Sequence, residues 1–141
     1  MECIFCQIAE GAIPNVTLWE DDETLAFLDI RPLRPGHALV IPKTHAARLA
    51  DASPASMQAV MATVQRLTPV ITQLTGSTDA TIAIHDGPAA GQEVPHLHVH
   101  IVPRQPGDGG GPIHALFDRR SSVSSEEMHD FAIQVQQLVA Q

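Results

Sequence analysis

The sequence predicts an α+β domain: a five-stranded, mainly antiparallel meander sheet with one long helix and a C-terminal helix. Three observations carry this expectation. Short strand-like runs follow one another with only turn residues between them, which favours antiparallel pairing over long crossovers. The stretch from Ser53 to Gly76 keeps a helical period instead, and a second amphipathic stretch follows Ser124. At 141 residues and 44% hydrophobic, the chain is long enough to bury one core.

Cys3 to Glu10 can form a short helical turn ended by Gly11. Candidate strands near Val16 to Glu20 and Thr24 to Leu28 flank the acidic turn Glu20-Asp21-Asp22-Glu23 and should pair as a hairpin. Pro32, Pro35 and Gly36 then punctuate the chain before an alternating strand from His37 to Ile41, which Pro42 is expected to stop. Ser53 and Pro54 fit the N-cap and first position of a helix, along which Met57, Val60, Val64, Leu67, Ile71 and Leu74 keep one face and Pro69 should introduce a kink. Thr81 to Ile84 and His96 to Val102 are the last two expected strands, joined through the Gly/Pro-rich loop Gly87 to Gly91. Gly107 to Pro112 and the stretch to Ser125 have no clear period. Ser124 and Glu127 fit a capping box for the final helix, whose apolar stripe is Met128, Phe131, Val135 and Leu138.

The net charge of −8 with only eight Lys plus Arg argues against a duplex nucleic-acid partner, which needs a basic footprint. A phosphate substrate would have to be held locally, by backbone N–H groups and imidazoles. Met1 leads into Glu2 and Cys3 without a basic n-region or long apolar run, so the expectation is a cytoplasmic protein with no membrane partner.

Chemistry concentrates in HLHVHIV, where His96, His98 and His100 occupy alternate residues. On a strand the three imidazoles would share one face, expected to be wet, while Leu97, Val99 and Ile101 point into a core. Neighbouring imidazoles disfavour each other's charged form, so at least one should stay neutral and nucleophilic. A solvated His-rich strand or a tag remnant is the bland alternative, but a tag would be contiguous and terminal. Cys3 and Cys6 form a C-x-x-C pair, which in a reducing compartment points to metal or redox work. A closed tetrahedral zinc site would need two further ligands, for which histidines are the usual source. The loop Gly87-Pro88-Ala89-Ala90-Gly91-Gln92 could bring backbone N–H groups close to anionic oxygens.

HLHVHIV resembles the His-x-His-x-His motif of the histidine triad (HIT) superfamily of nucleotide hydrolases and transferases. CIFCQI, the FLDIRP region, PGHALVIPKTH and HDGPAAGQEVPH match in family order over about the first three quarters of the chain. A third triad histidine separates it from the galactose-1-phosphate uridylyltransferase branch, which typically has glutamine there. The resemblance, which extends to zinc-bearing bacterial Hint-like proteins, implies a HIT-like catalytic, nucleotide-binding domain over residues 1–105. Residues 106–141 would be a C-terminal loop and helix packed on the same domain. It also implies a homodimer in which two small sheets join, a structural zinc on Cys3, Cys6, His45 and His96, and His98 as nucleophile with His100 and His37 orienting or polarising the site. Asp29 would hold the ribose, Ile4, Phe5, Phe27 and Ile30 the base, and His85, Gly91, Gln92, Glu93 and Val94 the remaining nucleotide-binding positions.

The activity so implied is hydrolysis or transfer at the α-phosphate of purine nucleoside phosphoramidates or related mononucleotide conjugates, through a nucleotidyl-histidine. Two residues depart from the family pattern. His85 stands where Asn or Gln is usual, and Glu93 where other branches place Ser or Thr towards the leaving group. A carboxylate there favours small neutral or cationic leaving groups over polyphosphates. PRQPGD, from Pro103 to Asp108, is instead similar to the fragile-histidine-triad branch, which acts on dinucleoside polyphosphates. The rivals are thus a dinucleoside polyphosphate hydrolase, a non-catalytic nucleotide-binding adaptor and a metal-storage protein.

Overall fold

The computed structural model describes residues 3–141, which divide into two compact units, one ending at Gly110 and the other running from Gly111 to Gln141. The first holds α1 (Ile4–Ala9), β1 (Thr17–Glu20), β2 (Thr24–Leu28), β3 (Ala38–Pro42), α2 (Pro54–Thr75), β4 (Asp79–Ala83) and β5 (Val99–Arg104); the second holds α3 (Ser125–Val139). Among the described residues no helix is long and apolar enough to cross a membrane.

All strand pairs are antiparallel, in the order β1-β2-β3-β5-β4. The first three strands form the expected meander. α2 then carries the chain to the far edge, and β5 returns between β4 and β3. Both faces of the central strands are covered, so β2 and β3 are buried along nearly their whole length. Ala26, Ala38, Val40, Val99 and Ile101 pack beneath Val60, Val64, Leu67 and Ile71 of α2. Leu25, Phe27, Leu39 and Ile41 on the opposite face meet Phe5 and Ile8 of α1. Full burial of such a side chain contributes on the order of 1.5–3 kcal/mol before entropy is counted.

α2 begins and ends where its caps direct. The Ser53 hydroxyl accepts from the Ser56 N–H at 3.0 Å, and Gly76 closes the helix in the left-handed conformation at φ 65°. The helix runs on through Pro69. The acidic turn is organised by Asp21, which accepts from the Glu23 and Thr24 N–H groups and from Trp19 Nε1. PRQPGD closes as a turn around Asp108, which accepts two bonds from the Arg104 guanidinium, at 2.7 and 3.0 Å, and one each from the Gln105 and Gly110 N–H groups.

The strand boundaries differ from those expected. β3 includes Pro42, because a proline at the last strand position removes no interior ladder bond, and it begins at Ala38 rather than His37. β5 begins at Val99, since the Leu97 N–H donates to the Ala46 carbonyl at 2.7 Å instead of to a neighbouring strand. β4 starts two residues early, at Asp79, paired opposite Arg104. The final helix has its expected N-cap, with Ser124 Oγ accepting from the Glu127 N–H at 3.1 Å.

Candidate active site

His100 lies on the sheet face opposite α2, in register with Leu39, and the other three expected active-site elements converge on it. His37 comes from the residue before β3, His98 from the extended segment before β5, and His85 from the loop after β4. Contrary to the wet face expected from alternation, His96, His98 and His37 are buried and only His100 is partly open. The cover over His98 is Phe5, whose ring meets it edge-on with centroids 5.1 Å apart, while Phe27 holds Phe5 from behind at 5.4 Å.

Hydrogen-bond partners assign the tautomers. His98 Nδ1 lies 2.7 Å from the His96 carbonyl, which can only accept, so Nδ1 carries the proton and Nε2 keeps its lone pair. His37 Nδ1 accepts from the Leu33 N–H at 3.1 Å, leaving the proton on Nε2. That Nε2–H faces His100 Nδ1 at 2.9 Å, with an Asp29 oxygen at 3.6 Å, so His100 in turn presents its proton on Nε2. Burial holds these rings neutral. It pushes His37 down against the opposing pull of Asp29, pushes His98 down with help from His85, and together with the neighbouring imidazoles takes His100 down to about 4.

A cleft of about 560 Å³ opens over this face. Ile4, Phe5, Phe27 and Ile30 line it as expected, although Phe5 and Phe27 also belong to the core. Asp29 lines it too, with one oxygen accepting from the Arg31 N–H at 2.9 Å. His85, Gly91, Glu93, Val94, His98 and His100 line it as well, whereas His37 and Gln92, also expected at the site, do not. Ile8, Pro14, Asn15, Arg31, Leu33 and Leu39 also line the cleft and were not anticipated. Of these, Arg31 had a local signal in FLDIRP; its guanidinium reaches Glu93 at 3.5 Å across the mouth.

The loop after β4 differs from the expected anion cradle. The Gly87 N–H donates to the Gln92 side-chain oxygen, and the N–H groups of Ala90, Gly91 and Gln92 donate to carbonyls within the loop. The Gln92 amide also donates to the Ala47 and Val94 carbonyls, so its side chain braces the loop and does not line the cleft. Among the described residues the N–H groups of Glu93 and Val94, at the cleft wall, have no intramolecular acceptor. Gly91, beside His85, sits at φ 103°, a backbone conformation that side-chain-bearing residues rarely adopt and that therefore favours glycine.

Cys3, Cys6, His45 and His96 form a second cluster, their ligand atoms all within 4.8 Å of one another. His96 Nδ1 lies 3.3 and 3.5 Å from the two sulfurs and 3.2 Å from His45 Nδ1. Bonds of about 2.0–2.3 Å to a tetrahedral zinc place ligand atoms about this far apart. His96 Nε2 donates to the Pro42 carbonyl at 2.8 Å, which fixes its proton there and leaves Nδ1 free to ligate. Burial, then hydrogen bonding and repulsion from Cys3, push the Cys6 thiol up to about 11, the penalty that a dication would relieve. The four residues therefore fit a closed zinc site. Asp29, His37 and His100 also lie close together, but the Leu33 bond keeps a proton on His37 Nε2, the atom a metal would need.

A HIT domain family model matches residues 10–107. An adenylylsulfatase of Arabidopsis thaliana is 39% identical over 107 residues, 76% of this chain but 54% of that protein, so the chain spans about half its length. An adenosine 5′-monophosphoramidase of Schizosaccharomyces pombe is 43% identical over 104 residues, covering 74% of this chain and 75% of the relative. Among solved structures, a zinc-bound histidine triad family protein from Mycobacterium smegmatis superposes with a TM-score of 0.73 at 38% identity, over 99% of this chain and 97% of that one. The matched span contains the sheet, the loop after β4 and all three histidines of the His-x-His-x-His run, and on that ground the chain belongs to the HIT domain family.

Proposed function

We propose that this nucleotide hydrolase cleaves purine nucleoside phosphoramidates or related mononucleotide conjugates in two displacements through a nucleotidyl-His98 intermediate. One observation carries the reading: the His96 carbonyl holds the His98 proton on Nδ1, so the neutral Nε2 lone pair is the nucleophile. Attack of Nε2 on the α-phosphorus expels the leaving group; water then displaces Nε2 and releases the monophosphate. The Leu33-His37-His100 chain aligns a Nε2–H donor for a non-bridging oxygen, and the Glu93 and Val94 N–H groups supply two more. The names of the two enzymatic relatives, an adenylylsulfatase and an adenosine 5′-monophosphoramidase, support an adenosine 5′-phosphate substrate.

The cysteine-histidine cluster would hold a structural zinc whose chemistry is to cross-link, with no open position for substrate. A cytoplasmic location goes with this reading, since the two ligand thiols must stay reduced. So does a homodimer.

Hydrolysis of a fluorogenic adenosine phosphoramidate tests the activity. Wild type should turn over and His98→Ala should not, and an alkaline quench with peptide mass spectrometry should find one nucleoside monophosphate on the His98 peptide of wild type alone. Tight nucleotide binding with no turnover in wild type would favour the adaptor. Inversion at a chiral α-phosphorus would rule out two in-line displacements.

A further inference from the structure

We propose that His85 is the proton donor to the leaving group, and the base for the water that follows, making this site selective for amine leaving groups that must be protonated as they depart. The inference rests on the hydrolase reading above. A phosphoramidate nitrogen with an unactivated alkyl group leaves poorly as an anion, so the P–N bond breaks readily only if an acid reaches the nitrogen.

The cleft holds few groups that can serve. Three imidazoles line it, and two are committed: His98 Nδ1 donates to the His96 carbonyl, and His100 Nδ1 accepts from His37. Of these three, only His85 has neither ring nitrogen in a hydrogen bond with the described residues. A ring contact positions it instead, with its centroid 5.3 Å from that of His100, and a Cβ at Gly91 would stand 3.4 Å from its Nδ1. Its charge bears on both His98 and His100, which places it within electrostatic reach of the reacting centre.

The other charged groups facing the cleft are unsuited. Arg31 does not give up a proton, and Glu93 is 81% exposed and paired with it at 3.5 Å. Asp29 accepts from the Arg31 N–H and faces His37, whose own proton goes to His100. Behind the loop, Asp86 accepts from the Leu49 N–H, and the Arg48 guanidinium packs over Gly87. An imidazole is also the side chain whose two protonation states are both accessible near neutrality.

In the first step the His98 Nε2 pair forms the bond to phosphorus. The P–N pair passes to nitrogen, which takes the proton of the His85 imidazolium and leaves as neutral amine. In the second step neutral His85 takes a proton from the attacking water. The P–Nε2 pair returns to His98, and the monophosphate departs with His85 recharged.

The test compares kcat/KM of wild type and His85→Asn on two substrates, an adenosine 5′-phosphoramidate of a simple alkylamine and the p-nitrophenyl ester of AMP. The ester's leaving group needs no proton. We expect the variant to lose on the order of 10²-fold on the amine substrate, at least tenfold more than on the ester, and to show a nitrophenolate burst as the second step loses its base. His85→Gln, which keeps an amide for the phosphate but has no titratable proton, should behave alike. Equal losses on both substrates would mean that His85 only binds phosphate, and unchanged kinetics would exclude it from the reaction; either result overturns the proposal while the hydrolase reading stands. Wild type inactive on both substrates would instead overturn the hydrolase reading and this inference with it.

Discussion

His96 serves the two halves of the site with different atoms. Its ring Nδ1 belongs to the cysteine-histidine cluster, while its carbonyl accepts from His98 Nδ1 and so leaves the lone pair on His98 Nε2, the nitrogen that the proposed reaction uses. His100 shows the cost of keeping such a site neutral. An exposed histidine titrates near about 6.5, whereas burial holds His100 at about 4, so on acidification the unfolded chain takes up this proton first. Its contribution to stability is therefore complete above about pH 6.5 and is lost as the pH falls towards 4. His37, pushed down by the same cause, adds to the trend in the same direction. We expect the urea midpoint to fall between pH 7 and pH 4.5, and to fall less steeply in His100→Asn. Parallel profiles for the two proteins would show that His100 is not the group responsible.

α1 is six residues long, too short to persist as an isolated helix. Phe5 and Ile8 anchor it to the sheet, and Cys3 caps it, accepting from the Cys6 N–H at 3.4 Å. A metal joining Cys3 and Cys6 to His45 and His96 would fasten this helix, and with it Phe5, against His98. Purified protein should then carry about one zinc per chain by elemental analysis. Cys3→Ser/Cys6→Ser should lose it and melt several degrees lower, as chelator-treated wild type should. Retention of zinc by the double variant would overturn the ligand assignment. Features set by near neighbours in the chain were legible in the sequence: the Ser53 and Gly76 caps, the Asp21 turn, the triad spacing and the C-x-x-C pair. Distant partners decided the rest. β5 starts at Val99 because Leu97 bonds to Ala46, His98 is buried because Phe5 arrives from the N-terminal helix, and the loop after β4 closes on its own carbonyls through Gln92.

At the scale of the molecule, two features call for a second copy of the chain. β4 is an edge strand with Ile82 45% exposed, and an unpaired edge is a template for another strand. In the second unit no residue of α3 is buried: Met128, Phe131 and Leu138 of its apolar stripe are 53%, 67% and 68% exposed. A 15-residue helix with that face in water is marginal by itself, and in a two-fold dimer either feature could pair with its own counterpart in the second copy. We expect light scattering at micromolar concentration to give twice the 15.1 kDa chain mass. Truncation after Ser125 should weaken the dimer if α3 is the contact. If pairing is through the sheet edge, the truncated chain should remain dimeric and Ile82→Lys should break it. A 15.1 kDa species from the full chain would overturn the dimer itself.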